Sequence, residues 1–221
     1  MTSLRILSAN LLVDRADAAD LRRVIAEADP DVVVTQEMGT RSASVIRETH
    51  CHGHLDPRGD LFGMGIASKY PVVVEPLALD ERPGWVARLE PDAWPNLKQP
   101  LDVLDVHLVN PVDRPWSVSR DTRRRQIAQI RAFLDERDAA SVIVGDMNAS
   151  QLWPEYRLLA ELGIDVAVAT NTTRRTWAPM TWGPRLLRID HAFVAGAQPV
   201  ATSVARIRDT DHCALIVDIE I

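Results

Sequence analysis

Lysine is almost absent from this sequence of 221 residues: it occurs only at positions 69 and 98, and arginine supplies the other basic side chains. Cysteine is scarce as well, with only Cys51 and Cys213, far apart along the chain. One disulfide between them is possible, but no feature of the sequence argues for it. Reduced thiols are therefore the expected state.

Long apolar runs are missing too. No run approaches the length of a membrane span, and the first residues lack the basic segment and apolar stretch of a signal peptide. We also find no internal repeat, low-complexity tract or linker. The sequence therefore predicts a cytoplasmic, monomeric protein with a single domain over residues 1–221 and no membrane span.

A net positive charge is the third absence. The formal charge is −6, so the bulk field of the protein does not attract phosphate, and a phosphate substrate would need local cations or a metal ion. Hydrophobic residues make up 46% of the chain and charged residues 25%, which predicts one sizeable core and excludes global disorder.

Short apolar runs rich in Val and Ile alternate with helical patterns. The runs predict strands at 4–10, 31–37, 62–68, 101–107, 141–148, 188–194 and 211–221. Apolar periodicity predicts helices at 17–28, 119–137 and 154–163. The stretches 83–100 and 110–116, which contain Pro and Trp, are interpreted as loops. Strands mixed with helices indicate an α/β or α+β domain.

Polar side chains lie at the ends of these apolar runs. Six runs have them at or near one end. Four runs carry them at their ends, as Asn10, Gln36, Glu37, His107, Asp146 and Asn148, and two carry them at their starts, as Asp190, Asp211 and His212. If the last two strands run opposite to the others, all of these groups meet at one rim. Like charges this close repel unless a cation offsets them. Carboxylate and amide oxygens suit Mg²⁺ or Mn²⁺.

Each piece alone has an ordinary explanation. "GDMN" at 145–148 fits a turn, "QE" at 36–37 a solvated strand end, and "TDH" at 210–212 a loop, because Asp and Asn favour turns. Only their joint occurrence, in this order, indicates a functional site.

In that order the sequence resembles the endonuclease/exonuclease/phosphatase superfamily of deoxyribonuclease-like metal-dependent phosphoesterases. The matching pieces are "SAN" at 8–10, "QE" at 36–37, "GIASKYPV" at 65–72, "VHLVNP" at 106–111, "GDMN" at 145–148, "RIDHAFV" at 188–194 and "TDHCALIV" at 210–217. The resemblance implies an α/β fold: a four-layer sandwich in which two packed mixed β-sheets are flanked by helices.

The resemblance also implies roles for the metal ligands and the groups around the water. Glu37 is the principal carboxylate ligand of Mg²⁺ or Mn²⁺, Asn10 assists it directly or through water, and Asp211 completes the metal environment. Asp146 positions and deprotonates the attacking water. Asn148 donates its side-chain amide to the phosphate or the nucleophile.

Two histidines complete the set implied by the resemblance. His212 faces the phosphate with Asp190 as its partner, and His107 contacts a phosphate oxygen or assists the leaving group. The implied reaction is in-line attack of water on phosphorus, which releases an alcohol and a phosphate monoester from a diester. The metal supplies Lewis-acid charge stabilisation and orientation.

Two positions depart from the family pattern. Leu12 stands where some nucleases of the family carry an acid, which favours one tightly bound metal over two. His191 stands where the family often has Tyr, and we interpret it as a surface or packing residue rather than an added active-site group.

Other signals are weaker. His50, His52 and His54 would share one face of a strand, but a functional metal site there is disfavoured. The Arg123–Arg125 triplet is interpreted as a solvated helix face near the helix start. Arg174 and Arg175 are candidate phosphate contacts, so Arg174 is included in the substrate site. Trp177 and Trp182 lie on a loop before Asp190, where a Trp stacks on a base, lines an apolar pocket or packs under the loop, and Trp177 is the substrate-site candidate.

Three functions follow, and the sequence does not fix the physiological substrate. The first is a nuclease-type phosphodiesterase acting on DNA or RNA. The second is a phosphatase or phosphodiesterase acting on a small-molecule or lipid phosphate. The third, a catalytically silent binding module, is disfavoured because the whole set of chemical residues is present. The acidic charge leans away from a dedicated duplex-DNA enzyme, which usually shows a basic stripe.

Overall fold

The computed structural model describes residues 3–95, 97–112 and 115–221, and this part of the chain contains twelve strands and five helices. The strands are β1 (Leu4–Asn10), β2 (Val32–Gln36), β3 (His52–Asp56), β4 (Met64–Ser68), β5 (Val73–Pro76), β6 (Gly84–Leu89), β7 (Leu101–His107), β8 (Ala140–Asp146), β9 (Ile164–Asp165), β10 (Asp190–Ala195), β11 (Gln198–Arg206) and β12 (Cys213–Glu220). The helices are α1 (Ala18–Ala28), α2 (Thr40–Arg47), α3 (Trp116–Asp135), α4 (Pro154–Ala160) and α5 (Val166–Ala169).

Two mixed sheets of six strands each form the centre of the molecule. The first has the order β11-β12-β1-β2-β4-β3, and the second has the order β5-β6-β7-β8-β10-β9. In the first sheet β1 is parallel to β2 and antiparallel to β12. In the second sheet β7 is parallel to β8, and β10 is antiparallel to β8. The two sheets therefore share one design, a parallel central pair bordered by an antiparallel strand.

The central strands are apolar on both faces because each face is covered. Ile6 and Val34 lie in the core between the two sheets, whereas Leu7 and Val33 pack against α1 and α2 on the outer side. On the second sheet Ile143 packs outward in the cluster that includes residues of α3 and α4. The order from outside to outside is therefore helix, sheet, sheet, helix, and the predicted four-layer sandwich is confirmed.

The helices begin and end where local sequence permits. The side chain of Asp17 accepts a hydrogen bond from the backbone of Asp20 and caps α1, whose apolar face is buried. Helix α3 starts at Trp116, three residues before the predicted helix at 119–137. No helix in the described ranges is long and apolar enough to cross a membrane.

One predicted loop is wrong. The stretch 83–100 contains β6, which pairs antiparallel with β7 in the register Gly84↔Val106 to Leu89↔Leu101. Pro83 and the short length of "GWVARL" hid the strand, because its stability comes from pairing with a neighbour distant in sequence. β3, β5, β9 and β11 and helices α2 and α5 were also not predicted. Part of the predicted loop 110–116 belongs to residues outside those described, and Trp116 is already helical.

Candidate functional site

The ends of the central strands meet at one rim of the sandwich. Asn10 and Gln36 are paired neighbours at the ends of β1 and β2, and His107 is paired with Asp146 at the ends of β7 and β8. Asp190, at the start of β10, is paired with the same Asp146. Since β10 and β12 run opposite to the central pairs, the structure brings together the groups that the sequence placed at strand ends and strand starts.

Asn10 links the two sheets at this rim. Its side-chain nitrogen donates to Glu37 Oε1 at 3.2 Å and to Asp146 Oδ2 at 3.1 Å. Its side-chain oxygen accepts from the backbone N–H of Leu12 at 3.0 Å, which fixes the orientation of the amide. Asn10 is therefore a donor that holds two carboxylates side by side, and its nitrogen rather than its oxygen faces them.

Asp146 occupies the centre of the site. Its Oδ1 accepts from the backbone N–H of Asn148 at 2.9 Å, and its Oδ2 lies 3.7 Å from His107 Nε2 and 3.6 Å from His212 Nε2. Burial raises the pKa of Asp146, and the nearby negative charges of Asp190 and Glu37 act in the same direction, whereas His212 opposes them. The Asp146 carboxylate therefore lies close to two other acids, and the charge of His212 offsets their repulsion.

His212 forms an ion pair with Asp190. Its Nδ1 lies 2.9 Å from Asp190 Oδ2, and its backbone N–H donates to the hydroxyl of Thr210. Burial alone disfavours the imidazolium, but the negative charges of Asp190 and Asp146 outweigh burial and raise the pKa of His212. A protonated ring with Nδ1–H on Asp190 presents Nε2–H towards Asp146.

His107 is a different kind of histidine. It is buried, and its Nε2 lies 3.8 Å from Glu37 Oε1. Burial lowers the pKa of His107, and the positive charges of Arg82 and His212 add to the effect. The site therefore holds one neutral imidazole and one imidazolium.

Glu37 and Asp211 keep oxygens without a protein partner. Glu37 Oε2 and Asp211 Oδ1 are buried atoms that accept no hydrogen bond. Asp211 Oδ2 accepts from Trp177 Nε1 at 3.0 Å, so its free oxygen is held in place. Burial raises the pKa of Glu37, and the charge of Asp211 contributes to this rise. Uncompensated carboxylate oxygens that repel each other are what a divalent cation would stabilise.

These orphaned oxygens fit the divalent metal ion that members of the family typically use. Hard carboxylate oxygens are the ligand type that Mg²⁺ and Mn²⁺ prefer. A second acidic group, formed by Asp146, Asp190 and His212, has its ligand atoms within 4.8 Å of one another. The hydrogen bond of His212 to Asp190 already balances charge in that group, so Glu37 and Asp211 are the better candidate metal ligands.

Strained backbone concentrates at this rim. Of the nine non-glycine residues with positive φ in the described chain, four line the cleft above the acids: Leu12, Val13, Glu37 and Asn148. Val13, with φ 52°, is β-branched and especially disfavoured there. Such strain persists only where the surroundings enforce it, and it is common at functional sites.

Gly145 lies in β8, directly before Asp146. Its φ is 143°, and a Cβ added at this position would lie 2.0 Å from the carbonyl oxygen of Val106. Only glycine fits there, because β7 and β8 approach closely at the rim. The first two residues of "GDMN" therefore end a strand, and the segment lies in the site rather than in a separate turn.

A cleft of about 480 Å³ opens above the acids. Its walls are largely apolar and include Leu61, Val112, Trp116, Trp153 and Leu187, which sequence reasoning did not identify. Sequence reasoning also missed Arg82, which is the only Lys or Arg among the described residues that line the cleft. No motif marks these residues, because they lie in loops that meet only in the folded chain.

The predicted substrate residues separate in the structure. Asn148 and Trp177 line the cleft, and Asn148 Nδ2 donates to the carbonyl of Leu108 at 3.0 Å. Arg174 is exposed and is not among the residues that line the cleft. Gln36 lies below the rim, where its side chain donates to Asp105 at 2.6 Å.

The three-histidine pattern does not form a metal site. His50 precedes β3, is buried, and pairs its Nε2 with the carbonyl of Pro30 at 2.9 Å. His54 packs its ring against Trp85 instead. The expected shared strand face is wrong because the strand begins only at His52 and Gly53 has positive φ.

Two other interpretations are settled by burial. His191 is buried among Tyr156 and Phe193 and hydrogen-bonds the carbonyl of Ala149 at 2.8 Å, so it is a packing residue. The solvated face predicted for the arginine triplet is wrong at Arg123, which is fully buried near Glu155 because it shares the buried face of α3 with Gln126, Ile127 and Ile130. Cys51 is exposed, Cys213 is buried, and both are free.

Solved structures share this fold. An endonuclease/exonuclease/phosphatase from Beutenbergia cavernae DSM 12333 is 20% identical with a TM-score of 0.71, covering 100% of this chain and 72% of that one. D. rerio TDP2 complexed with single-strand DNA product is 17% identical with a TM-score of 0.77 and full coverage of both chains. Sphingomyelinase C from Streptomyces griseocarneus is 16% identical with a TM-score of 0.68 and 99% coverage of both.

At these identities the similarity establishes the fold alone. No curated protein matches the chain. The sequence profile of the Endonuclease/Exonuclease/phosphatase family matches residues 7–212, which span the strand ends that build the rim from Asn10 to His212. The chain therefore belongs to the endonuclease/exonuclease/phosphatase family.

Proposed function

We propose that this protein is a divalent-cation-dependent phosphodiesterase that hydrolyses its substrate by in-line attack of water on phosphorus. The water oxygen forms a bond to phosphorus, the bond from phosphorus to the leaving oxygen breaks, and an alcohol and a phosphate monoester are released. The family establishes the broader class of phosphoester hydrolases, and the diester and the mechanism are our proposal.

The observation that carries the proposal is the position of Asn10. Its amide donates to Glu37 at 3.2 Å and to Asp146 at 3.1 Å, so a candidate metal ligand and a candidate base are held by one side chain. Such an arrangement sets a cation beside the group that would accept a proton from water. Preorganised geometry of this kind supplies much of the catalysis in hydrolytic sites.

Asp146 is the proposed acceptor of the water proton. Its Oδ1 is fixed by the backbone N–H of Asn148 at 2.9 Å, and its Oδ2 faces the cleft groups. Asn148 uses one side-chain N–H on the carbonyl of Leu108, which leaves the second N–H for a phosphate oxygen.

Positive charge for the phosphate comes from His212 and Arg82. His212 is held by Asp190 at 2.9 Å and presents its other N–H towards Asp146. Arg82 lines the same cleft and donates through Nη1 to the carbonyl of Leu61 at 3.1 Å. The Nε2 of His107 lies 3.8 Å from Glu37 Oε1 and 3.7 Å from Asp146 Oδ2, and this ring is the proposed contact for a phosphate oxygen or for the leaving group.

Glu37 and Asp211 are the residues that would hold the divalent cation, with Asn10 orienting Glu37. The cation, when bound, supplies Lewis-acid stabilisation of the negative charge that develops on the phosphate oxygens. The Trp177 hydrogen bond to Asp211, at 3.0 Å, keeps the free oxygen of that carboxylate directed at the site.

Two classes of substrate are candidates, since one structural neighbour is TDP2 with single-strand DNA product and another is a sphingomyelinase. A nuclease activity on DNA or RNA is the first candidate from the sequence. The cleft favours the second, a small-molecule or lipid phosphodiester, because its described lining carries one arginine and mainly apolar walls.

A turnover panel tests the proposal. Wild-type protein in Mg²⁺ or Mn²⁺ should hydrolyse bis(4-nitrophenyl) phosphate, and 4-nitrophenyl phosphate, a monoester, should react more slowly. Asp146→Asn should lower kcat by about 10²- to 10⁴-fold, since removal of a general base has that effect. Plasmid DNA, single-stranded DNA and RNA complete the panel.

A surface control is Asp138→Asn, which lies outside the cleft lining and should keep wild-type kcat. Undiminished turnover in Asp146→Asn would show that Asp146 is not the general base. Turnover in excess chelator equal to that with Mg²⁺ or Mn²⁺ would show that no divalent cation is required.

A further inference from the structure

The walls of the cleft are more apolar than hydrolysis of a phosphate requires. Four separate segments of the chain supply apolar side chains to this cleft. Leu61 precedes β4, Trp116 is the first residue of α3, Trp153 precedes α4 and Leu187 precedes β10. The acids Glu37, Asp146 and Asp211 line the same cleft. A single cavity therefore joins a phosphate site to an apolar compartment.

Two of these walls are built aromatic surfaces. The rings of Trp116 and Trp153 meet edge to face, with centroids 5.4 Å apart and planes at 90°. Arg123, which is fully buried, places its guanidinium 5.3 Å from the centre of the Trp116 ring and 6.0 Å from that of Trp153. Glu155 lies 3.9 Å from Arg123 Nη2. The pair of rings is thus supported from behind by a buried cation.

Apolar side chains also stay exposed around the mouth of the cleft. Val112 is 80% exposed and Trp116 is 47% exposed, and both line the cleft. Leu61, which also lines the cleft, is 37% exposed. Large apolar groups gathered at one opening indicate a binding surface for apolar matter, whereas scattered ones need no explanation.

Charge in the cleft fits one phosphate group and not a polyanion. Arg82 is the only arginine or lysine among the described residues that line it. A nucleic-acid strand would place several phosphates along the protein, and each is normally met by a basic residue. The apolar walls instead match a substituent with no charge of its own.

From these contacts we infer that the substrate is a phosphodiester with one apolar substituent, alkyl or aryl, which lies between Trp116, Trp153 and Leu61 while the phosphate lies over the acids. The inference rests on the proposed phosphodiesterase activity and names its substrate class. The hydrolysed bond is the one proposed above, between phosphorus and the leaving oxygen, so the apolar group selects the substrate without entering the chemistry.

A matched substrate series tests the inference through kcat/KM. Methyl, hexyl and phenyl 4-nitrophenyl phosphate share one leaving group and differ only in the second substituent, and the 4-nitrophenyl ester of thymidine 5′-phosphate provides a nucleoside arm. The hexyl and phenyl diesters should exceed the methyl diester by about 30-fold or more, because each buried methylene group contributes several-fold to binding. The nucleoside diester should stay within a few-fold of the methyl diester.

Substitutions in the walls test where the apolar group lies. Trp153→Ala and Leu61→Gln, in two separate segments that line the cleft, should each reduce the hexyl-to-methyl ratio of kcat/KM by about tenfold. Trp182→Ala is the matched control, since Trp182 is 76% exposed and lines a different depression together with Arg206–Asp209. That control should keep the wild-type ratio.

A binding arm separates this inference from the proposed function. Calorimetry of the unmodified protein in Mg²⁺ compares hexylphosphonate with methylphosphonate, and neither is hydrolysed. Preference for hexylphosphonate without turnover of any diester would contradict the proposed function and support the apolar site. Turnover of all diesters at equal kcat/KM, with equal phosphonate binding, would overturn the inference and leave the hydrolysis standing.

Phosphatidylcholine vesicles distinguish two sources of the apolar group. Turnover of vesicle lipid together with the hexyl preference points to a lipid, and the hexyl preference without lipid turnover points to a free small molecule. Both outcomes support the inference. A nucleoside diester that outperforms the hexyl diester would overturn it in favour of a base-stacking site.

Discussion

The side chain of Asn10 shows how much chemistry rests on one residue at the rim. Its amide holds Glu37 and Asp146 together, and its oxygen is committed to the backbone of Leu12. Two buried carboxylates this close are tolerated because a neutral donor stands between them and a cation would stand beside them. The residue acts by placing other groups.

Asn10→Asp should convert that donor into a third acid. Repulsion with Glu37 and Asp146 should lower the free energy of unfolding by about 1–3 kcal/mol without added metal, and Mn²⁺ should restore much of it. The measurement is the urea midpoint with and without 5 mM Mn²⁺, a concentration of about that order being enough to populate a millimolar site. Asn171→Asp is the control at an exposed position.

An unchanged urea midpoint in metal-free Asn10→Asp would contradict the proposed crowding of carboxylates. A loss of stability that Mn²⁺ does not reverse would show that the crowded carboxylates do not bind the cation.

His50 carries a second prediction at this scale, through pH. Burial lowers the pKa of His50, and the carbonyl of Pro30, Asp29 and Asp31 oppose that shift while Lys69 adds to it. The unfolded chain therefore binds a proton that the folded chain resists, and stability is present above a pH of about 6.5 and is lost as the pH falls below it. His50→Gln keeps a donor for Pro30 and does not titrate.

Urea midpoints at pH 8 and pH 5.5 give the measurement. Between these values the wild-type protein should lose more stability than His50→Gln, by up to about 1.4 kcal/mol per pH unit. Equal losses in the two proteins would show that His50 titrates normally in the folded state.

At the level of elements, the sequence predicted the central strands and missed the four edge strands β3, β5, β9 and β11 and the inner strand β6. β1 and β7 are buried along almost their whole length, and β12 over most of it, because the other sheet and the outer helices cover them, so their apolar content is visible in composition. β6 and β11 alternate or lie partly exposed, so their signal depends on partners that the linear sequence does not show.

The same reasoning covers the site. The acids, amides and histidines were predictable because strand direction alone gathers strand ends at one rim. The apolar walls of the cleft were not, because Leu61, Trp116 and Trp153 belong to separate segments that meet only in the folded chain. Burial of Arg123 was also invisible, since it depends on Glu155 and Trp153, which are distant in sequence.

Asp165 provides the prediction for elements. It caps α5 and forms a paired contact with Arg188 just before β10, at 2.6 Å and 3.1 Å, with both side chains nearly buried. Asp165→Asn keeps the cap but leaves the Arg188 charge uncompensated, and should lower the free energy of unfolding by about 3–5 kcal/mol. The measurement is urea unfolding followed by circular dichroism.

The matched control is Glu161→Gln, which breaks the exposed ion pair with Arg131. Exposed pairs contribute about 0–1 kcal/mol, so this variant should stay near the wild type. A loss in Asp165→Asn as small as that in the control would mean that Arg188 is solvated in the folded protein.

At the scale of the whole molecule, the two sheets of the sandwich position the side chains of one rim. Two sheets, each with a parallel central pair, deliver Asn10 and Glu37 from one side and His107 and Asp146 from the other. The net charge of −6 then makes local cations decisive, because the bulk field works against any phosphate. In the proposed mechanism, Arg82, His212 and a divalent cation would supply the positive charge that the phosphate needs.

The central claim is that a divalent cation held by Glu37 is needed for hydrolysis. The most direct test measures kcat for bis(4-nitrophenyl) phosphate after chelator treatment and stepwise return of Mn²⁺. The proteins compared are the wild type, Glu37→Gln and the exposed control Glu48→Gln. The account predicts that wild type and Glu48→Gln lose activity in chelator and regain it with saturation by Mn²⁺. Glu37→Gln should need at least about tenfold more Mn²⁺ or recover no activity, since loss of one ligand weakens such sites by that order. Activity that survives complete removal of metal, or that Glu37→Gln regains at the wild-type Mn²⁺ concentration, would contradict the account.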